Sequence, residues 1–313
     1  MSIKRRQNTI RFLYFLGVIR WYNILLIALS QVILSAYLHQ LLYANISKKL
    51  ALWNFFTDFT LYTMILASGF SVAGAFIINY FYDRDKDWFN QSRLNIMARA
   101  VGTKHLANLY ILFNILGLLF ASLASWKLFV YFLGFQFVAW FYSHKIQKIP
   151  ILRELTSSFL TLAPIIAVWI HLGMPSLSMW VFFITCLLVI LTKDLLKDIG
   201  GNRGNALFGY KTVTVIAGNK GTIYINIAIV FTVLSFFVWT YMNWEYQDID
   251  VLRLSLVSLT AVLINNAIHI FSGDSFLKTA TRIQKIILLF HIWGLILIIT
   301  YRYYFEVVSY LRV

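Results

Sequence analysis

Nine runs of about 20 mostly apolar residues, each long enough to cross a bilayer, limit what this chain can become. They fall at approximately 12–38, 59–81, 105–124, 128–143, 155–172, 177–195, 221–242, 251–271 and 284–305. Of the 313 residues, 60% are hydrophobic and only 12% charged, about half the ~25% charge that keeps a soluble domain solvated. In lipid, backbone N–H and C=O groups must be satisfied within the segment itself, which for such runs means helix. The expected fold is an all-α integral membrane protein with nine transmembrane helices. No linker, repeat or low-complexity tract divides the chain, so 1–313 reads as a single polytopic membrane domain.

The net charge of +15 would suit nucleic acid in a soluble protein, yet here it follows the membrane. With the N-terminus in the cytoplasm, the inside segments hold twenty lysines and arginines and the outside segments six, with Arg20 inside the first run. Such an asymmetry orients a polytopic protein. The expectation is an inner-membrane protein with its N-terminus and the motif-bearing loops cytoplasmic, contacting membrane lipids and no nucleic acid. The basic start MSIKRRQNTIRF leads into an apolar run too long for a signal peptide and without a small-residue cleavage site, so it reads as retained. Cys186 is the sole cysteine and excludes a disulfide framework. Neither Cys186 nor His171 has a partner at ligand spacing, so zinc and haem sites are not expected.

The chain has only twelve carboxylates, and five of them gather in two places. Asp83, Asp85 and Asp87 follow the second run, and Asp194 and Asp198 follow the sixth. Carboxylates at a membrane boundary are costly to desolvate unless paired or metal-bound. Asn79, Asp83 and Asp87 recur every four residues, which on a helix extended from the second run places them on one face. Asp194 and Asp198 repeat that spacing. Asp85 points off the shared face and reads as a neutraliser of Arg84 and Lys86. Two acidic faces at the same end supply the hard oxygen ligands that Mg2+ takes alongside phosphate and water. Arg84, Arg93, Lys145, Lys148, Lys197, Arg203 and Lys211 are cations suited to a diphosphate. The combination suggests Mg2+ bridging a diphosphate whose apolar tail lies in the bilayer, with ionisation of an allylic diphosphate as the chemistry and Asp83 and Asp198 as the principal acids. An aromatic content of 18% suits carbocation stabilisation and membrane-interface belts equally, so it decides nothing.

These residues resemble the UbiA superfamily of intramembrane prenyltransferases. The family's first motif, N-D-x-x-D-x-x-x-D, is matched by NYFYDRDKD (Asn79 to Asp87), and its second by KDLLKDIGGNRGNALFGYKTVTVIAG (Lys193 to Gly218). IRWYNILLIALSQ resembles the R-P-x-N start of the first helix through Arg20 and Asn23. WFYSHKIQKIP resembles the Y-S-x-x-L-K-R loop through Tyr142, Ser143 and Lys148. The resemblance implies nine helices around a central cavity open laterally to lipid. It also implies Mg2+ dependence, a cytoplasmic-side site, a polyprenyl diphosphate donor and a membrane-associated acceptor, with Arg20, Asn23 and Tyr142 in the substrate pocket. The wording of the second motif looks most like the branch that prenylates geranylgeranylglyceryl phosphate or menaquinone precursors.

Three departures stand out. Tyr80, Gly201 and Asn205 occupy positions where the family has acids, which weakens a full two-metal cluster. An alternative to an active prenyltransferase is therefore a weakened homologue that binds an isoprenoid or joins membrane protein partners, in which Tyr80→Asp, Gly201→Asp and Asn205→Asp would restore turnover. A transporter is a third reading, but it would place ionisable residues near the midplane. The mid-run residues Asn114, Asn265, Asn266, His269 and His291 read instead as hydrogen-bonding links between helices, and the G-x-x-x-G spacing at Gly200 and Gly204 reads as part of a loop.

Overall fold

The apolar runs form helices, and the sequence between them adds short ones. The computed structural model describes residues 3–42, 48–89, 93–173, 177–243 and 249–311; the side chains of Asp87 and Arg93 lie outside the described residues. Twelve α-helices and no strand occur among them. The first six are α1 (Ile3–Val18), α2 (Trp21–Leu42), α3 (Lys48–Thr57), α4 (Phe59–Phe89), α5 (Arg93–Val101) and α6 (Thr103–Ala124). The rest are α7 (Trp126–His144), α8 (Leu152–Leu172), α9 (Leu177–Leu207), α10 (Val213–Asn243), α11 (Ile249–Ser272) and α12 (Leu277–Leu311).

Eight of these are long and apolar enough to cross a membrane: α2, α4, α6, α8, α9, α10, α11 and α12. They make this an all-α integral membrane protein. The remaining expected span, 128–143, falls on α7, whose 19 residues reach about 28 Å at 1.5 Å per residue. Its tryptophans, tyrosines, Lys127, Gln136 and His144 lower its mean hydropathy beneath that of the other eight.

The first expected span is broken. Its first part is α1, which ends at Val18, and α2 begins at Trp21 after a turn in which Arg20 has φ +51°. A non-glycine residue in that left-handed region is uncommon and ends a helix. The Arg20 guanidinium lies 5.0 Å from the centre of the Phe76 ring on α4. α10 is interrupted near its start by Gly218, at φ 70° and ψ 173°, a conformation open to glycine and strained for anything larger.

α4 and α9 are the two long central helices, at 31 residues each. α4 packs against α2, α6, α7 and α8, and α9 against α8, α10, α11 and α12, while α2 meets α12 and closes the bundle. α4 and α6 approach closely because Gly117 has no side chain: a Cβ there would lie 2.5 Å from Ser71 Oγ and 3.3 Å from the Ser71 backbone nitrogen. With no hydrophobic effect between helices in lipid, such close contacts and interhelical hydrogen bonds hold the bundle. Gln31 on α2 donates to Ser68 Oγ and to the Pro164 carbonyl, both at 2.8 Å. Gln136 on α7 donates to Ser71 Oγ and the Asn114 carbonyl, both at 3.1 Å.

Most mid-span polar residues do link helices. Asn265 donates to the Ala280 carbonyl at 3.0 Å, and His291 Nδ1 sits 2.9 Å from Ser258 Oγ. Gln284 reaches Asn266 at 3.4 Å, and the His269 ring packs on Phe276. Asn114 departs from that reading, because its amide turns back to Tyr110 O of its own helix at 2.7 Å. Large apolar side chains such as Leu112, Ile115, Leu119, Leu133, Phe231, Ile264 and Leu297 are exposed, which outside a membrane would be an aggregating surface.

At the end of the bundle away from the motifs, His171 Nε2 lies 2.5 Å from Asp58 Oδ2, and His39 Nε2 lies 3.8 Å from the same oxygen. Asp58 Oδ1 also accepts from the Leu61 amide at 3.1 Å and caps α4. No spacing along the chain links His171 to these partners, because Asp58 lies 113 positions away and His39 lies on α2.

Candidate active site

Both aspartate motifs lie on helices. α4 continues unbroken to Phe89, so Asn79 and Asp83 stand one turn apart on one face, and Asn79 Nδ2 donates to Asp83 Oδ2 at 3.0 Å. The second motif, read above as a loop from Gly200, is helical to Leu207. Gly200, Gly201 and Gly204 are accommodated because α9 is long and packed on four neighbours. Glycine costs about 1 kcal/mol per position in a helix, an amount that burial of the α9 core readily offsets.

The motifs meet at one end of the bundle. Tyr210, in the connection after α9, donates its hydroxyl to Asp83 Oδ1 at 3.2 Å, and Gln147 Nε2 reaches the Tyr210 oxygen at 3.5 Å. Tyr142, at the end of α7, lies close enough to Asp83, Asp194 and Arg153 to feel their charges. It is therefore near both the α4 acid and Asp194 of α9. Ser157 Oγ reaches Asp194 Oδ2 at 3.4 Å, and Lys193 Nζ is 3.3 Å from Asp194 Oδ1. Lys197 lies near Asp194, Asp198 and Arg20. Its side chain is exposed.

Arg153, at the start of α8, holds Asp198. Its Nη2 donates to Asp198 Oδ1 at 3.0 Å and its Nη1 lies 2.8 Å from Oδ2. Glu154 is 3% exposed; its Oε1 is 3.7 Å from Arg153 Nη1 and accepts the Val213 amide at 3.3 Å. The Val213 contact ties α8 to the first turn of α10.

The other expected cations are dispersed. Lys145, Lys148, Arg203 and Lys211 are exposed at this end of the bundle, and Arg84 pairs with Asp85 at 3.5 Å, both well exposed. Asp85 thus faces outward, as its position off the Asn79–Asp83 face requires. Asn23 is partly buried in the first turn of α2. Among the described residues, no group of three or more His, Cys, Asp or Glu side chains is arranged to hold a metal ion.

Tyr80 is 1% exposed and packs among Val18, Ile19, Ala73, Ile77, Ala98 and Leu106. It faces α1, α5 and α6, about 100° around α4 from Asn79. Its departure from the family pattern therefore lies off the face that carries Asn79 and Asp83. Gly201 and Asn205 do lie on α9 beside the acids. A Cβ at Gly201 would meet nothing nearer than Asn205 Nδ2 at 3.8 Å.

Arg153, Glu154, Ser157, Gln147 and Tyr210 were missed in the sequence as site residues. Arg153 counted only as loop charge, and its one available signal was an acid beside it in a chain that has few.

The fold and this end of it define a membrane-embedded helical bundle with carboxylates and cations gathered at one end. The chain belongs to the UbiA prenyltransferase family, whose sequence model matches residues 50–274. It is 26% identical over 212 residues to digeranylgeranylglyceryl phosphate synthase of Pyrococcus horikoshii, covering 67% of this chain and 76% of the relative. It is 23% identical over 236 residues to the synthase of that name from Methanobrevibacter smithii, covering 73% of this chain and 82% of the relative. A solved structure from work on digeranylgeranylglyceryl phosphate synthase in membranes superposes with a TM-score of 0.66 at 16% identity, covering 92% of this chain and 98% of that one. A UbiA homolog from Archaeoglobus fulgidus bound to DMAPP and Mg2+ superposes with a TM-score of 0.59 at 16% identity, covering 90% of this chain and 98% of that one.

Proposed function

We propose that this protein transfers a polyprenyl group from an allylic diphosphate to a membrane-borne glycerol phosphate lipid. The observation that carries this is that Asp83 on α4 and Asp194 on α9 both lie near Tyr142, with Asp198 in the field of Asp194, at a membrane-embedded bundle's end rich in exposed lysine and arginine. The relatives' shared name, digeranylgeranylglyceryl phosphate synthase, favours a glycerol phosphate acceptor over a quinone precursor.

In the reaction, the C1–O bond of the allylic diphosphate breaks with its electron pair leaving on the diphosphate. C1 then bonds to the acceptor hydroxyl oxygen, whose proton passes to the departing diphosphate. Asn79 and Asp83, with Asp87 of the same motif, are the oxygen donors that would hold Mg2+. Their hard oxygen set suits that ion, and a carboxylate that accepts from Tyr210 and Asn79 keeps further lone pairs. Bound there, Mg2+ supplies neutralisation of the diphosphate charge. Lys197, with Lys145, Lys148, Arg203, Lys211 and Arg84 exposed at this end and with Arg93 of the sequence motif, attracts and orients the diphosphate. The Tyr142 ring offers a π face to positive charge developing at C1, and Arg20 and Asn23 border the tail. The lysine and arginine asymmetry supports a cytoplasmic placement of this end.

The test is diphosphate release by purified protein in lipid nanodiscs with Mg2+, geranylgeranyl diphosphate and geranylgeranylglyceryl phosphate. Release dependent on both substrates, and reduced about a hundredfold or more in Asp83→Asn, is expected. No release from any polyprenyl diphosphate, or full activity in Asp83→Asn, would overturn the reading.

A further inference from the structure

The α9 half of the acidic end does not suit a metal ion. Asp198 is gripped by Arg153 at 2.8 and 3.0 Å. Asp194 answers Ser157 and Lys193. Gly201 has no side chain to offer, and Asn205 is neutral and 4% exposed. Three carboxylates, Asp194, Asp198 and Glu154, are thus met by three cations, Arg153, Lys193 and Lys197. No negative charge is left over. A divalent ion added here would bring two uncompensated positive charges into a poorly screened region, where their mutual repulsion is strongest.

Arg153 cannot give way by losing its proton, since a guanidinium stays charged in proteins. It also cannot be traded for a metal cheaply, because leaving buried Glu154 without it would strand a carboxylate. Its planar fork has five N–H donors; Asp198 engages two of its nitrogens, and the side chain keeps 12% of its surface accessible. Donors therefore remain for an anion. Lys197, one helical position from Asp198 and in its field, adds a second fixed charge.

We propose that Arg153 stands in place of a second metal ion. The site binds Mg2+ only on the α4 side, and Arg153, oriented by Asp198 and Glu154, takes the other side of the diphosphate. This rests on the prenyltransferase reading above. It also gives Gly201 and Asn205 a physical reason: with a cation built into the protein, acids that would hold a metal on that turn of α9 have nothing to bind and would over-neutralise Arg153.

Mn2+ bound per chain is counted by equilibrium dialysis of the full-length protein in nanodiscs, with inorganic pyrophosphate as the head-group probe and a protein-free compartment as reference. Wild type is expected to bind one ion per chain, and the R153A/G201D/N205D variant two. R153K, which keeps the charge but replaces a fork by a point donor, is expected to bind pyrophosphate roughly tenfold more weakly. R153Q should weaken it further, with the protein still folded by its thermal unfolding profile. Two ions per chain in wild type, or unchanged pyrophosphate affinity in both R153K and R153Q, overturns the proposal and leaves the prenyltransferase reading standing. Wild type that binds neither Mn2+ nor pyrophosphate overturns both.

Discussion

Tyr210 donates its hydroxyl to Asp83 at 3.2 Å across 127 positions of sequence, so the connection after α9 is anchored to the acid on α4. A phenol is a neutral donor: it orients the carboxylate without cancelling its charge, which an arginine at that place would do. The two central helices are thereby held in one arrangement at the end where their acids gather.

Tyr210→Phe keeps the ring and removes only the donor. One hydrogen bond to a charged group is worth about 1.5–3 kcal/mol. Diphosphate release is expected to fall by roughly tenfold or more, with a small drop in thermal midpoint. A phenylalanine variant with wild-type rate would show that Asp83 is oriented without this contact.

Tyr80→Asp is expected to unfold the protein more easily and to restore nothing. The position is 1% exposed within an apolar cluster, and a carboxylate buried there costs about 3 kcal/mol or more. Thermal unfolding followed by tryptophan fluorescence reads this directly. Equal stability together with faster turnover would mean that position 80 reaches the acidic face after all.

Asp58→Asn tests the cluster at the opposite end. Burial alone would raise the Asp58 pKa, but the hydrogen bond from His171, the Leu61 amide and the charges of His171 and His39 outweigh it and leave it below its ordinary 3.8. A carboxylate with a lowered folded-state pKa contributes stability above its unfolded value, and that contribution is lost as pH falls through the folded one. Because asparagine also caps helices well, the comparison isolates charge. Wild type should melt higher than the variant at neutral pH, and the difference should be lost only as pH falls below the ordinary carboxylate value and through the lower folded-state one. A difference that persists unchanged into acid would show that charge is not what Asp58 supplies.

Gly117→Val should force α4 and α6 apart. The added side chain meets Ser71 Oγ and backbone, and overpacking of this kind costs about 1–3 kcal/mol. The readout is a lower thermal midpoint, partly recovered by Ser71→Gly. No recovery would place the strain elsewhere.

Much of this protein was legible in order along the chain. Lipid forces local hydrogen bonding, so the apolar runs had to be helices, and eight of them are long and apolar enough to span. The period of four linking Asn79 to Asp83 survives because α4 simply continues past the apolar run. What misled was direction and continuity. Spacing alone did not say that Tyr80 turns toward α1, α5 and α6, that the first span breaks at Arg20, or that the glycine-rich second motif stays helical to Leu207. Glycine's low helix propensity argued for a loop, and packing overrode it.

The sequence by itself determined a membrane-spanning helical bundle and the identity of the acids at its motif end, because both rest on local patterns of hydrophobicity and helical period. Only the tertiary structure decided which charges meet. Arg153 and Asp198 stand 45 positions apart, and no local pattern links them. Electrostatic pairing depends on distance in space, so the difference between an acid available to a metal and an acid already answered by the protein exists only once α8 is laid against α9.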